Sequence, residues 1–120
     1  MALAKSVQAK ASVIFVLEPF SEMSGQLREA VTTYAQLRKK EAASALEQAV
    51  EAAREAGVSC KAIQVENGQP HQAIIAAAAD RGCDLIVMSS HGQSGLATFL
   101  LGSVANKVLA YAKIPVLVCR

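Results

Sequence analysis

Four short apolar runs, set apart by stretches with helical spacing, confine this chain to one kind of architecture. The runs lie at residues 12–17 (S-V-I-F-V-L), 58–65 (V-S-C-K-A-I-Q-V), 84–88 (D-L-I-V-M) and 114–118 (I-P-V-L-V). The first and third are continuous and rich in β-branched residues, which is how strands buried on both faces read. The second alternates apolar and polar residues, which suits a strand with one wetter face near a sheet edge. Strands separated by helices imply βαβ crossovers, so the expected fold is α/β, an open parallel sheet with helices on both faces. The predicted order is α-β-α-β-α-β-α-β.

The intervening segments carry the helical pattern. From about residue 21 to 56, Leu27, Val31, Tyr34, Leu37, Ala42, Leu46, Ala49, Val50 and Ala53 recur at steps of three and four, with charged and amide side chains between them. An irregular turn is expected near Ser24 and Gly25. Gly57 follows the last turn, where a C-terminal cap needs a positive φ. Pro70 suits the first turn of a helix that runs through residues 71–81 and closes at Gly82. His71, at that helix start, is expected to face solvent. Residues 2–10 read as the end of a helix, since they lack the clean apolar core of a signal peptide.

Composition narrows the function classes. At 120 residues, 52% of them hydrophobic, the chain is expected to form a single domain over residues 1–120 with one sizeable core. A net charge of +2 is too mild to imply nucleic-acid binding. The short basic run Arg38, Lys39 and Lys40 is read as a solvated helix face. Three cysteines, Cys60, Cys83 and Cys119, form an odd set with no CxxC spacing. They argue against a disulfide framework or a zinc site and for a reducing, cytoplasmic setting. No run approaches the ~18 apolar residues that a membrane helix needs. There is also no GxGxxG, no GxSxG and no Walker-type lysine.

One segment carries chemistry. The third strand ends at Met88, small residues follow at Ser89, Ser90 and Gly92, and Gly102 and Ser103 open the next helix. Unpaired amides at a helix N-terminus carry partial positive charge, and glycine lets an anion approach closely. Such a turn at the carboxyl ends of parallel strands is where open α/β sheets bind ligands. Each piece also has a plainer reading. The glycines can simply mark turns, Ser103 can cap its helix, and His91 can be an ordinary loop histidine. Spacing alone supports a parallel α/β domain with a candidate anion site.

The segment D-L-I-V-M-S-S-H-G, then nine residues, then G-S-V-A-N-K-V-L and I-P-V-L-V resembles the C-terminal half of the universal stress protein family. Upstream, N-G-Q-P-H-Q-A-I and V-I-F-V-L-E-P are similar to the family's turn before its third helix and to its second strand. In the ATP-binding branch the pattern is Gly, two residues, Gly, nine residues, Gly, then Ser or Thr. Gly92, Gly102 and Ser103 match it, and Ser89 stands where the first glycine would be. The resemblance implies an adenine-nucleotide alpha hydrolase-like, Rossmann-like fold with strand order 3-2-1-4-5. It implies ATP, or else ADP or AMP, as ligand, with the base near the backbone of Val16. Met88, Ser89, Ser90, His91 and Gly92 would lie along the ribose and phosphates, and Gly102, Ser103 and Val104 would seat the phosphates. With no obvious general base, hydrolysis is expected to be slow or absent, which suits a stress-response regulator.

The resemblance also implies a homodimer through the final strand, from Ile114 to Val118. Pro115 would remove one edge donor there. The alternative function is a dimeric adaptor of the same fold that binds no nucleotide. The chain starts inside what resembles the family's first helix, so the family's first strand and its aspartate are expected to be absent, as in an N-terminally truncated chain. Three outcomes are then expected for the strands it would separate. They pair directly, a second copy swaps in a strand, or the natural product is longer.

Overall fold

A computed structural model describes residues 1–19, 28–90 and 101–119. They form two compact units, Met1–Gly68 and Gln69–Arg120. The first unit contains helix α1 (Ala2–Ser6), strand β1 (Ala11–Leu17), helix α2 (Arg28–Ala56) and strand β2 (Cys60–Glu66). The second contains helix α3 (Pro70–Asp80), strand β3 (Ile86–Ser89), helix α4 (Ser103–Tyr111) and strand β4 (Val116–Cys119). The α/β class and the alternating order match the expectation from sequence. The irregular turn expected at Ser24 and Gly25 lies outside the described residues.

In the first unit β1 pairs parallel with β2, in a register running from Ala11↔Cys60 to Leu17↔Glu66. Helix α2 packs on both strands. Its buried residues Ala42, Leu46 and Ala53 fall at steps of four and seven, one face of a helix, and meet a core with Leu17 and Val58. This helix is about 44 Å long against about 23 Å for β1, so only part of it can lie on the strands. All of its fully buried positions indeed fall between Ala42 and Ala53. Lys39 and Lys40 are exposed, as a solvated face requires. Arg38 differs. Its guanidinium sits 5.6 Å from the centre of the Phe15 ring and pairs with Glu41 at 2.5 Å, so it lids the end of the apolar layer.

The ends of this ladder define which backbone groups point where. The Ala11 N–H donates to the Ser59 carbonyl at 2.8 Å, and the Asn67 N–H donates to the Leu17 carbonyl at 2.9 Å. The backbone groups of Ala11, Val13, Phe15 and Leu17 therefore face β2. Those of Ser12, Ile14 and Val16 face the opposite edge.

In the second unit β3 pairs parallel with β4 from Ile86↔Val116 to Ser89↔Cys119. Ala78 of α3, Ile86 of β3 and Val108 of α4 form the core, flanked by Ile74, Met88, Val104, Ile114 and Val116. The expectation that β1 and β3 are buried on both faces is corrected. Most of β1 is half-buried, and Val87 of β3 is 55% exposed. Among the described residues α2 is the helix packed on β1 and β2, so a helix layer covers one face of that pair. His71 is a second correction, being 9% exposed instead of solvent-facing. It shares an i, i+3, i+7 stripe with Ile74 and Ala78, the face that α3 turns toward α4, and its ring lies 5.8 Å from that of Tyr111.

Among the described residues the strands form two two-stranded sheets, β1-β2 and β3-β4.

Three helices end in the same hydrogen-bonded motif. After α2, Gly57 N–H donates to Arg54 and Val58 N–H to Ala53. After α3, Gly82 N–H donates to Ala79 and Cys83 N–H to Ala78. After α1, Gln8 N–H donates to Lys5 and Ala9 N–H to Ala4. The motif needs a left-handed residue, with φ +74° at Gly57 and +65° at Gly82, but at α1 that residue is Gln8 with φ +55°. A Cβ at Gly57 would meet nothing within 4 Å, so the cost of adding one is conformational alone. Gly57→Ala is expected to lower stability by about 1 kcal/mol, and Gln8→Gly to raise it by a similar amount. Urea unfolding of the two variants checks the opposite signs.

Candidate anion site at the start of helix α4

The segment that leaves β3 and enters α4 is tied at both ends to one residue. Ser90 is buried, its N–H donates to the Cys119 carbonyl at 2.7 Å, and its carbonyl accepts from the Gly102 N–H at 2.6 Å. The first bond continues the β3–β4 ladder by one residue. The second holds the residue before α4 against the end of β3.

Gly102 is the N-cap of α4, with φ −61° and ψ 158°, and no side chain caps the helix. The plainer reading of Ser103 as a cap is therefore not what is observed. Ser103 is the first helical residue, and its side chain is exposed. The Asn106 N–H donates to the Gly102 carbonyl at 3.0 Å, which closes the first turn, and Asn106 Nδ2 donates to the Leu101 carbonyl at 3.3 Å. By helix geometry the amides of Ser103, Val104 and Ala105 then have no acceptor within α4. No acidic residue occupies the first turn to repel an anion.

Ser90 and Gly102 N–H groups are engaged within the protein, and the groups presented at the helix start belong to Ser103, Val104 and Ala105. Ala105 and the loop-bracing Asn106 were not among the expected residues, although counting forward from a helix start would have found both. The tie through Cys119 leaves no local sequence signal.

Ser89, which replaces a glycine in the resembled pattern, is the last residue of β3 and is exposed. Gln8 is the one non-glycine residue with positive φ among those described, so Ser89 accommodates its Cβ without backbone strain. The Ile86 N–H donates to Pro115 and the Ser90 N–H to Cys119, so the Ser89 backbone groups face away from β4. Met88 and Val104 are half-buried against the Ala78–Ile86–Val108 core, which fixes the strand end and the helix start relative to each other. The second unit therefore brings together Met88, Ser89, Ser90, Gly102, Ser103 and Val104. Val16 belongs to the first unit, half-buried, with its backbone groups turned off the β1–β2 ladder. His91 and Gly92 lie outside the described residues.

The chemistry available at this helix start is hydrogen bonding to an anionic oxygen group. Among the described residues no group of three or more His, Cys, Asp or Glu side chains could hold a metal. Cys60, Cys83 and Cys119 are free thiols, and burial pushes the Cys60 thiol up from its ordinary value. No helix of the described residues is long and apolar enough to cross a membrane.

Comparison with known proteins places this geometry in context. The model of the universal stress protein family matches residues 1–120. The universal stress protein YxiE of Bacillus subtilis is 44% identical over 82 residues, covering 68% of this chain and 55% of that protein. The chain thus spans little more than half the length of that curated relative. The solved structure of universal stress protein UspA from Lactobacillus plantarum superposes with a TM-score of 0.84 at 21% identity, over 99% of this chain and 83% of that one. A universal stress protein crystallised in complex with cAMP superposes with a TM-score of 0.60 at 24% identity, over 98% of this chain and 78% of the other. At those identities the two structures speak to the fold.

Proposed function

The chain belongs to the universal stress protein family, and from that premise we propose that it is a nucleotide-binding stress-response regulator which seats a phosphate group at the start of α4. One observation carries the reading. The first-turn amides of Ser103, Val104 and Ala105 have no acceptor within their helix, at a turn pinned in place through Ser90. The complex of a structural neighbour with cAMP supports a nucleotide as the ligand class. ATP is the ligand proposed for this chain, with ADP and AMP as the nearest alternatives, and hydrolysis is slow or absent. The proposal includes a cytoplasmic setting, which free thiols suit. It also treats the two units as parts of one domain, since the family match runs across both.

Thermal unfolding of the purified protein with ATP, ADP, AMP and cAMP in turn tests it. A nucleotide at 100 times its dissociation constant adds about 2.7 kcal/mol, which raises Tm by roughly 10 °C or more in a domain this small. Unchanged Tm with every nucleotide at millimolar concentration would remove the proposal.

A second reading, a dimeric adaptor that pairs through β4, is favoured by one detail. Since the Ile86 N–H donates to the Pro115 carbonyl, the missing Pro115 donor lies on the β3 side. The groups of Val116 and Val118 remain on the outer edge. Pro115 therefore does not blunt that edge. A homodimer that survives with no nucleotide response would favour this reading.

A further inference from the structure

The charge at the start of α4 has one sign. The helix contains a single ionised side chain, Lys107, and no acidic residue. Ser103, Asn106, Lys107 and Ala110 are exposed while Ala105 and Val108 are buried, so the four share the face that α4 turns away from its core. On that face Lys107 stands four residues after Ser103, one turn further into the helix. Helical side chains lean toward the N-terminus, so the lysine stem runs back over Ser103 and the amides without a helical acceptor.

That is an unfavourable place for a cation by itself. The N-terminal end of a helix carries partial positive charge, and lysines are favoured at the other end. Lys107 takes part in no ion pair among the described residues. Strands β3 and β4 have no acidic residue, and α3 has one, Asp80, its last. The stretch 91–100 contains none either. Amide, hydroxyl and ammonium groups can all donate, and with no carboxylate among them the set suits a ligand carrying several negative charges. Resting on the nucleotide reading above, we propose that Lys107 makes this site prefer nucleotides with two or three phosphates over nucleoside monophosphates. The first-turn amides hold one phosphate. The Lys107 ammonium, a point charge on a flexible stem, compensates the charge of the further ones. AMP offers only the first contact. The choice among ATP, ADP and AMP is thereby set by a side chain outside the glycine and serine spacing that marks the site in the sequence.

Calorimetric titration of the intact chain with ATP, ADP and AMP tests this, alongside Lys107→Gln, Lys107→Arg and Lys113→Gln. The parent should bind ATP and ADP more tightly than AMP. Lys107→Gln should weaken ATP about tenfold and AMP far less, so that the preference collapses, while Lys107→Arg retains it. Added salt should weaken ATP more steeply in the parent than in Lys107→Gln. Lys113→Gln removes an equal charge beyond the C-terminal end of α4 and should leave the ATP-to-AMP ratio unchanged. Lys107 is exposed and unpaired, so its variants should unfold at the parent's temperature without ligand. An ATP-to-AMP ratio that is the same in the parent and in Lys107→Gln overturns the proposal and leaves nucleotide binding standing. An equal loss in Lys113→Gln overturns it too, because net charge would then account for the preference. A parent that binds none of the three nucleotides removes the nucleotide reading and this inference with it.

Discussion

Val108→Asp is expected to leave the second unit unfolded at 25 °C. Val108 is 0% exposed and touches the core where α3, β3 and α4 meet, beside Ala78 and Ile86. All of its neighbours there are apolar or sulfur-bearing, so a carboxylate would find neither a cation nor a donor. An unpaired buried charge costs about 3–5 kcal/mol, against a total stability of about 5–15 kcal/mol for a whole domain. A unit of this size has little reserve to absorb it. Val108→Ala sets the scale from below. It removes two methyl groups and leaves a small cavity, for roughly 2 kcal/mol. Leu109→Asp is the control, because Leu109 is the next residue of the same helix but is 44% exposed. Its substitution should stay within about 0.5–1 kcal/mol. Urea unfolding followed by circular dichroism separates the three. Equal costs at positions 108 and 109 would mean that α4 turns a different face to the sheet.

The strands were legible because β-branched runs leave few alternatives, and their ends shifted for reasons that can be named. The second run was expected from Val58, but β2 begins at Cys60 because Val58 is held in the turn after Gly57 by its bond to Ala53. The last run was expected from Ile114, but β4 begins at Val116, past the residue that lacks an N–H. Depth of burial was overread. An apolar run tells which residues prefer the interior, but how many layers cover it depends on partners far along the chain. Leu117 and Val87 are accordingly exposed although their runs look fully apolar. The misplacement of His71 has the same origin, since its stripe is recognisable only once α4 is known to lie against α3.

At the candidate site, the helix start was readable from small residues and spacing. Its hydrogen bonding was not. Statistics for N-caps favour Ser103 over Gly102, yet the residue whose carbonyl closes the first turn is Gly102, because Ser90 holds its amide. That tie exists only when β4 has brought Cys119 alongside, a pairing across a long stretch of chain that leaves no mark in the local sequence.

Ser103→Pro follows from this geometry and should separate the phosphate seat from the fold. Proline is favoured at the first helical position, where its missing N–H has no helical partner to lose. The residue before a proline must be extended, and Gly102 already has φ −61° and ψ 158°. The unliganded protein should therefore unfold at the same temperature or slightly higher. The nucleotide response should not survive intact, because one of the three presented amides is gone. A hydrogen bond to a charged group contributes about 1.5–3 kcal/mol, so the dissociation constant should rise about tenfold to a hundredfold. Gly102→Val attacks the same seat by bulk. Its backbone angles are open to any residue, and the side chain would crowd the amides from outside, so the nucleotide-dependent shift should vanish at some cost to the helix cap. Tm measured with and without nucleotide for both variants gives the comparison. If Ser103→Pro binds as tightly as the parent, the phosphate is held elsewhere. Loss of binding with an unchanged unliganded Tm assigns it to the first turn of α4.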